Sequence, residues 1–132
     1  MPAFAGFFSG SRYAVSGDPK PTAGALTVDR AEKIAAYLTS GHKFAMLPMR
    51  SRDLFQPDKR LPTLSYMTDG DWIWPSDLIY YVTAYRVAIP AEVEAKAVGG
   101  GRLTQPIRHD VLDRVKDAFT NRRGFPPADR DA

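Results

Sequence analysis

The stretch Thr68-Asp69-Gly70-Asp71-Trp72-Ile73-Trp74-Pro75-Ser76-Asp77-Leu78-Ile79-Tyr80-Tyr81-Val82-Thr83-Ala84-Tyr85-Arg86 holds both tryptophans of the chain and three of its six tyrosines. Asp69-Gly70 lies between two β-prone runs, Thr63 to Met67 and Asp71 to Trp74, and an Asp-Gly pair in that position is hairpin-turn chemistry. Pro75, Ser76 and Asp77 then read as the start of a helix through about Arg86, since Pro suits a first turn, Ser can cap and Asp complements the helix dipole. In strand alternation Trp72 and Trp74 face the same way, which favours a core position for both. On a helical wheel Leu78, Ile79, Val82 and Tyr85 share one side. Tyr80 falls opposite with its ring at least partly exposed, either as a binding anchor or covered by Phe4, Phe7 and Phe8 of the N-terminal segment.

Upstream, Val28, Ala31, Ile34, Ala35 and Leu38 recur at helical spacing over Val28 to Ser40, with Thr27 as N-cap and Gly41 as the stop. Lys43 to Met49 is short, apolar and without helical period, so it reads as a strand leading into a basic loop, Arg50 to Arg60. Downstream, Pro90 opens a short helix from Ala91 to Val98, which Gly99-Gly100-Gly101 ends. A last helix carries the stripe Ile107, Val111, Leu112, Val115, Ala118 and Phe119 and ends at Gly124. The segment Met1 to Leu26 is rich in Gly and Pro, with one short strand expected near Arg12 to Val15. These elements predict an α+β fold in which a small antiparallel sheet of three to four strands packs against three to four helices. Residues 1–26 form an irregular N-terminal wrap, 27–124 the core domain and 125–132 a frayed tail.

At 132 residues, with 44% hydrophobic and 25% charged residues, the chain fits a single globular domain. The absence of cysteine excludes disulfides, thiolate metal sites and cysteine nucleophiles, and fits a cytoplasmic setting. No basic lead-in with an apolar core resembles a signal peptide, and no apolar run is long enough for a membrane helix. Net charge is +3: residues 1–66 carry nine Lys/Arg against five Asp/Glu, and residues 67–132 nine against ten. That excess argues against a dedicated nucleic-acid binder, which concentrates its cations on one face.

Motifs for chemistry are incomplete. Ser9 in Gly6-Phe-Phe-Ser9-Gly10 is out of place for a nucleophile elbow, and the glycine triplet lacks the Gly-Lys-Ser/Thr of a phosphate loop. Asp69-Gly70-Asp71 resembles the start of a calcium loop, but Tyr80 stands where the bidentate Glu belongs. His42 and His109 lie far apart, so neither a metal nor a cofactor is expected. Glu92 and Glu94, two apart on a helix, do not face one another and read as solvated acids.

The Trp-rich segment resembles small bacterial, largely actinobacterial, proteins with a helix ending Tyr-Leu-x-x-Gly, then Thr-Asp-Gly-x-Trp-x-Trp-Pro, Tyr-x-x-x-Tyr and Pro-x-x-Phe/Val. Here these are Tyr37 to Gly41, Thr68 to Pro75, Tyr81 to Tyr85 and Pro90 to Val93, with Val93 departing from the usual aromatic. Some such proteins look like immunity partners encoded beside secreted polymorphic toxins. The resemblance implies tight binding to a toxin domain without catalysis.

The expectation is therefore a non-catalytic immunity or inhibitor protein. Contacts are expected from Tyr80, Asp69, Asp71, Asp77 and Glu92, an acidic, tyrosine-bearing face that could plug a basic cleft. Trp72, Trp74, Pro75, Tyr81 and Tyr85 are expected to serve the fold. The alternative is a small enzyme, of hydrolase or nuclease type, using His42 or His109 with a carboxylate. A third reading is weak nucleic-acid binding through Lys43, Arg50, Arg52, Lys59 and Arg60.

Overall fold

The computed structural model describes residues 2–123. In chain order it runs β1 (Ala3–Phe4), α1 (Val28–Thr39), β2 (His42–Arg52), β3 (Arg60–Thr68), β4 (Trp72–Pro75), α2 (Asp77–Tyr85), α3 (Ala91–Val98) and α4 (His109–Arg122). The strands form one sheet in the order β1-β4-β3-β2. The fold is α+β in a single domain, as the element pattern predicts.

The Asp-Gly hairpin is present. Thr68 pairs with Ile73 and Met67 with Trp74, so β3 and β4 are antiparallel. Gly70 has φ of 100°, a backbone that a side chain would strain, which is why glycine follows Asp69 in the turn. Strands β2 and β3 are also antiparallel, but their ladder shifts register between Lys43 and Ala45, Met46 and Arg50, and Arg50 and Arg52. Both are longer than their apolar stretches, because the basic segment thought to be loop supplies the end of β2 and the start of β3.

Strand alternation divides the core into two layers. Leu61, Met67 and Trp74 face α1, α2 and α3, packing with Ile34, Leu38, Leu78, Val82 and Val93. Leu64, Tyr66 and Ile73 face the other way and pack with Val115, Ala118 and Phe119 of α4. Three helices thus cover one face of the sheet and the last helix covers the opposite one. Trp72 and Trp74 do share a side: Trp74 is fully buried and Trp72 half-buried against the same layer.

The N-terminal segment does more than wrap. Ala3 and Phe4 pair with Trp72 and Ile73 as a parallel edge strand, so the sheet is mixed and not wholly antiparallel. Just beyond it, Phe7 enters the α4 layer and Phe8 the other. The strand expected near Arg12 to Val15 is absent. Arg12 and Tyr13 lie in a turn, and Tyr13 has φ of 63°.

Helix α1 starts as expected, with the Thr27 hydroxyl accepting the Arg30 N–H. Val28 is exposed, not on the buried stripe. Pro75 ends β4 instead of opening α2, and Ser76 makes no cap bond. Strand pairing claims Ser76: its hydroxyl accepts the Ser65 N–H at 2.9 Å and its own N–H donates to the Ser65 carbonyl at 2.7 Å. Ile107 precedes α4, while Val115, Ala118 and Phe119 form its buried stripe. The expected stop at Gly124 and the tail 125–132 lie outside the described residues. Among the described residues, no helix is long and apolar enough to cross a membrane.

A candidate anion-binding cavity

The β2–β3 segment departs from a regular ladder where its arginines are densest. Arg52 and Arg60 are direct cross-strand partners. Like charges placed opposite each other weaken a ladder, so this pairing needs a reason. Across the register shift that precedes Arg52, Arg50 reaches the partner strand: its Nε donates to the Leu61 carbonyl at 2.7 Å and its Nη2 to the Arg60 carbonyl at 3.4 Å. The N-terminal turn adds Arg12. All four line one cavity of about 500 Å³, together with Tyr13, Ser51, Leu54, Tyr66, Asp77 and Tyr81. Pro75 also borders it, so the cavity sits where β4 runs into α2, at the far end of that strand from the Asp69 turn.

None of the four arginines forms an ion pair with a carboxylate among the described residues. Elsewhere charges do pair: Arg30 meets Glu94, Lys96 meets Asp69 and Asp71, and Arg122 meets Asp18. A volume of this size lies in the range of small-molecule sites. Unpaired guanidinium groups in a concavity present forked donors suited to phosphate or carboxylate.

The loop bordering the cavity is fixed by Asp53, which is buried. Its Oδ1 accepts the N–H groups of Phe55 and Gln56 at 2.7 and 3.1 Å, and its Oδ2 accepts the hydroxyls of Tyr80 and Tyr85 at 2.7 Å each. Burial pushes this carboxyl upward, but the four hydrogen bonds outweigh it and hold Asp53 below the usual carboxylate range. The same bonds raise the phenols, that of Tyr85 to about 12. This acid sits inside a basic run, and nothing in its neighbours along the chain marks it as the anchor.

The residues expected to form an acidic face are only partly brought together: Asp69 and Asp71 share Lys96, while Asp77 lies at the far end of β4. Tyr80 is half-buried, tethered to Asp53 and covered by Lys59, 5.2 Å from its ring, and not by the N-terminal phenylalanines. Asp69 is spent on the turn: Oδ1 accepts the Asp71 and Trp72 N–H groups at 2.9 and 2.8 Å, and Oδ2 accepts the Tyr37 hydroxyl and Lys96 Nζ. Its side chain is only 4% exposed, so it cannot meet a partner. Asp71 is exposed and pairs with Lys96, and Glu92 is exposed on α3. Asp77 is half-buried in the arginine cavity, and Trp72, Trp74, Pro75, Tyr81 and Tyr85 all pack within the fold.

Of the two histidines, His109 contacts Asp113 at 3.6 Å with both side chains well solvated, and His42 begins β2 opposite Thr68. Neither lines the cavity. Of the basic set weighed for nucleic acid, Arg50, Arg52 and Arg60 converge on the cavity, Lys59 covers Tyr80 and Lys43 is exposed on β2. Among the described residues, no group of three or more His, Asp or Glu could hold a metal ion. Comparison with protein-family models, with curated proteins and with solved structures finds no match.

Proposed function

We propose that this protein acts by binding, and that it seats an anionic group among Arg12, Arg50, Arg52 and Arg60. The observation that carries the reading is the Arg52–Arg60 cross-strand pair in the lining of a cavity whose four guanidinium groups form no ion pair with a carboxylate among the described residues. Such an arrangement costs stability in the free protein, and a bound anion removes that cost. A toxin-directed immunity role, which the sequence resemblance implies, would use the cavity for an anionic group of the toxin domain instead of an acidic plug on this chain.

The test is thermal unfolding and calorimetric titration with inorganic phosphate and pyrophosphate, against sodium chloride at matched ionic strength. Pyrophosphate is expected to raise the melting temperature beyond the chloride control. Arg52→Gln with Arg60→Gln should abolish that rise while making the free protein no less stable. Equal shifts by chloride and pyrophosphate would remove the proposal.

A further inference from the structure

The cavity also holds one carboxylate, and the arginines do not neutralise it. Asp77, the first residue of α2, lines the cavity and is half-buried. Burial pushes its carboxyl upward, the Ser51 hydroxyl works against that, and among the described residues it forms no ion pair. The phenols of Tyr66 and Tyr81 also line the cavity and are themselves buried; burial raises both, and the Asp77 charge adds to that rise. The cavity therefore has two poles, a half-buried carboxylate that shares the lining with buried tyrosines and a solvent-exposed set of arginines with which it forms no ion pair.

A carboxylate has room for about four hydrogen bonds. One that is half-buried in a cavity and forms no ion pair among the described residues keeps acceptor capacity that an incoming donor can use. At the other pole, four guanidinium groups offer more donors than one carboxylate ligand can accept, whereas a phosphate brings three acceptor oxygens and up to two charges. Resting on the binding reading above, we infer that the ligand is a small phosphorylated molecule with an N–H donor at its other end, the phosphate lying among Arg12, Arg50, Arg52 and Arg60 and the donor meeting Asp77.

Two sources share this chemistry, the base edge of a nucleoside monophosphate and a phosphorylated amine. Matched probes separate them. Calorimetry on the full chain compares guanosine 5′-monophosphate with ribose 5-phosphate, and phosphoethanolamine with ethyl phosphate. In at least one pair the donor-bearing member should bind about tenfold tighter, the worth of one hydrogen bond to a charged group. A preference within the first pair alone assigns the base edge, and within the second alone the amine. Asp77→Asn should shrink the preference and Asp77→Ala reduce it to about twofold or less, with folding checked by circular dichroism. Equal affinity within both wild-type pairs would overturn the inference, as would an undiminished preference in either variant. In both cases binding of ribose 5-phosphate and ethyl phosphate would leave the arginine reading intact, whereas failure of all four probes to bind would end both.

Discussion

Tyr80 and Asp53, 27 positions apart, are joined by a 2.7 Å hydrogen bond from phenol to carboxylate, and Tyr85 donates to the same oxygen at the same distance. These two of the three tyrosines of α2 thus clamp the loop that leads from Arg52 to Arg60. Tyr80→Phe is expected to cost about 1 kcal/mol and Asp53→Asn about 2 kcal/mol. In a urea double-mutant cycle the two changes should fall short of additive, because they share one bond. Strict additivity would show that the clamp carries no energy.

Three carboxyls within the fold, Asp53, Asp69 and Asp77, contribute to the pH dependence of stability. Asp53 and Asp69 both have burial working against them but are held low by their hydrogen bonds, and in Asp69 also by Lys96. A lowered folded value means stability that is present above the unfolded carboxylate range, about pH 4, and lost as pH falls through the folded values. Asp77 has the opposite sign: its value is raised, so its protonated form favours folding and that contribution disappears as pH rises through the folded value. Asp77→Asn should therefore raise the melting temperature at pH 7, with the gain shrinking below about pH 4. A gain that is constant with pH would contradict the assignment.

Gly41 follows α1, and its backbone does not need a positive φ. A Cβ there would lie 2.5 Å from Cζ2 of Trp74, which is fully buried and cannot retreat. Gly41→Ala should cost about 2 kcal/mol through overpacking. The near-ultraviolet circular dichroism of the tryptophans should change with it. An unchanged unfolding midpoint would mean that the ring has room to shift.

The N-terminal segment is latched to the end of α4. Arg122 pairs with Asp18, and its guanidinium lies 4.5 Å from the centre of the Phe4 ring and 4.3 Å from that of Phe7. Both charged side chains are largely buried, so Asp18→Asn leaves a cation without its partner at a cost of about 3 kcal/mol. Limited proteolysis of Asp18→Asn should cleave between residues 9 and 25 faster than in the wild type, while Arg122→Met, which keeps the packing on the rings, should be milder. Equal cleavage rates in wild type and Asp18→Asn would rule out the latch.

Local chemistry was enough to define much of the fold. The Asp69-Gly70 turn, the Thr27 cap, the α3 limits set by Pro90 and the glycine run, and the shared side of Trp72 and Trp74 all depend on residues a few positions apart. Periodicity also announced α4 through Val115, Ala118 and Phe119. It could not say that α4 covers the opposite face of the sheet from α1, α2 and α3, because amphipathicity states that a helix has a buried side without naming what it buries against. Ser76 shows the same limit from the other direction: it stands at the start of α2 with a hydroxyl able to cap, but a strand neighbour eleven residues away claims that hydroxyl and no cap bond forms.

What the chain by itself determined, then, is its α+β class and the turns and helices that short-range chemistry specifies. Tertiary structure alone decided the parallel pairing of Ala3 and Phe4 with Trp72 and Ile73, the burial of Asp53 and Asp69, and the gathering of Arg12, Arg50, Arg52 and Arg60 in one cavity with Asp77. The physical reason is that a charge is surface, anchor or binding group according to which distant backbone folds beside it, and neither hydrophobic period nor turn chemistry carries that information.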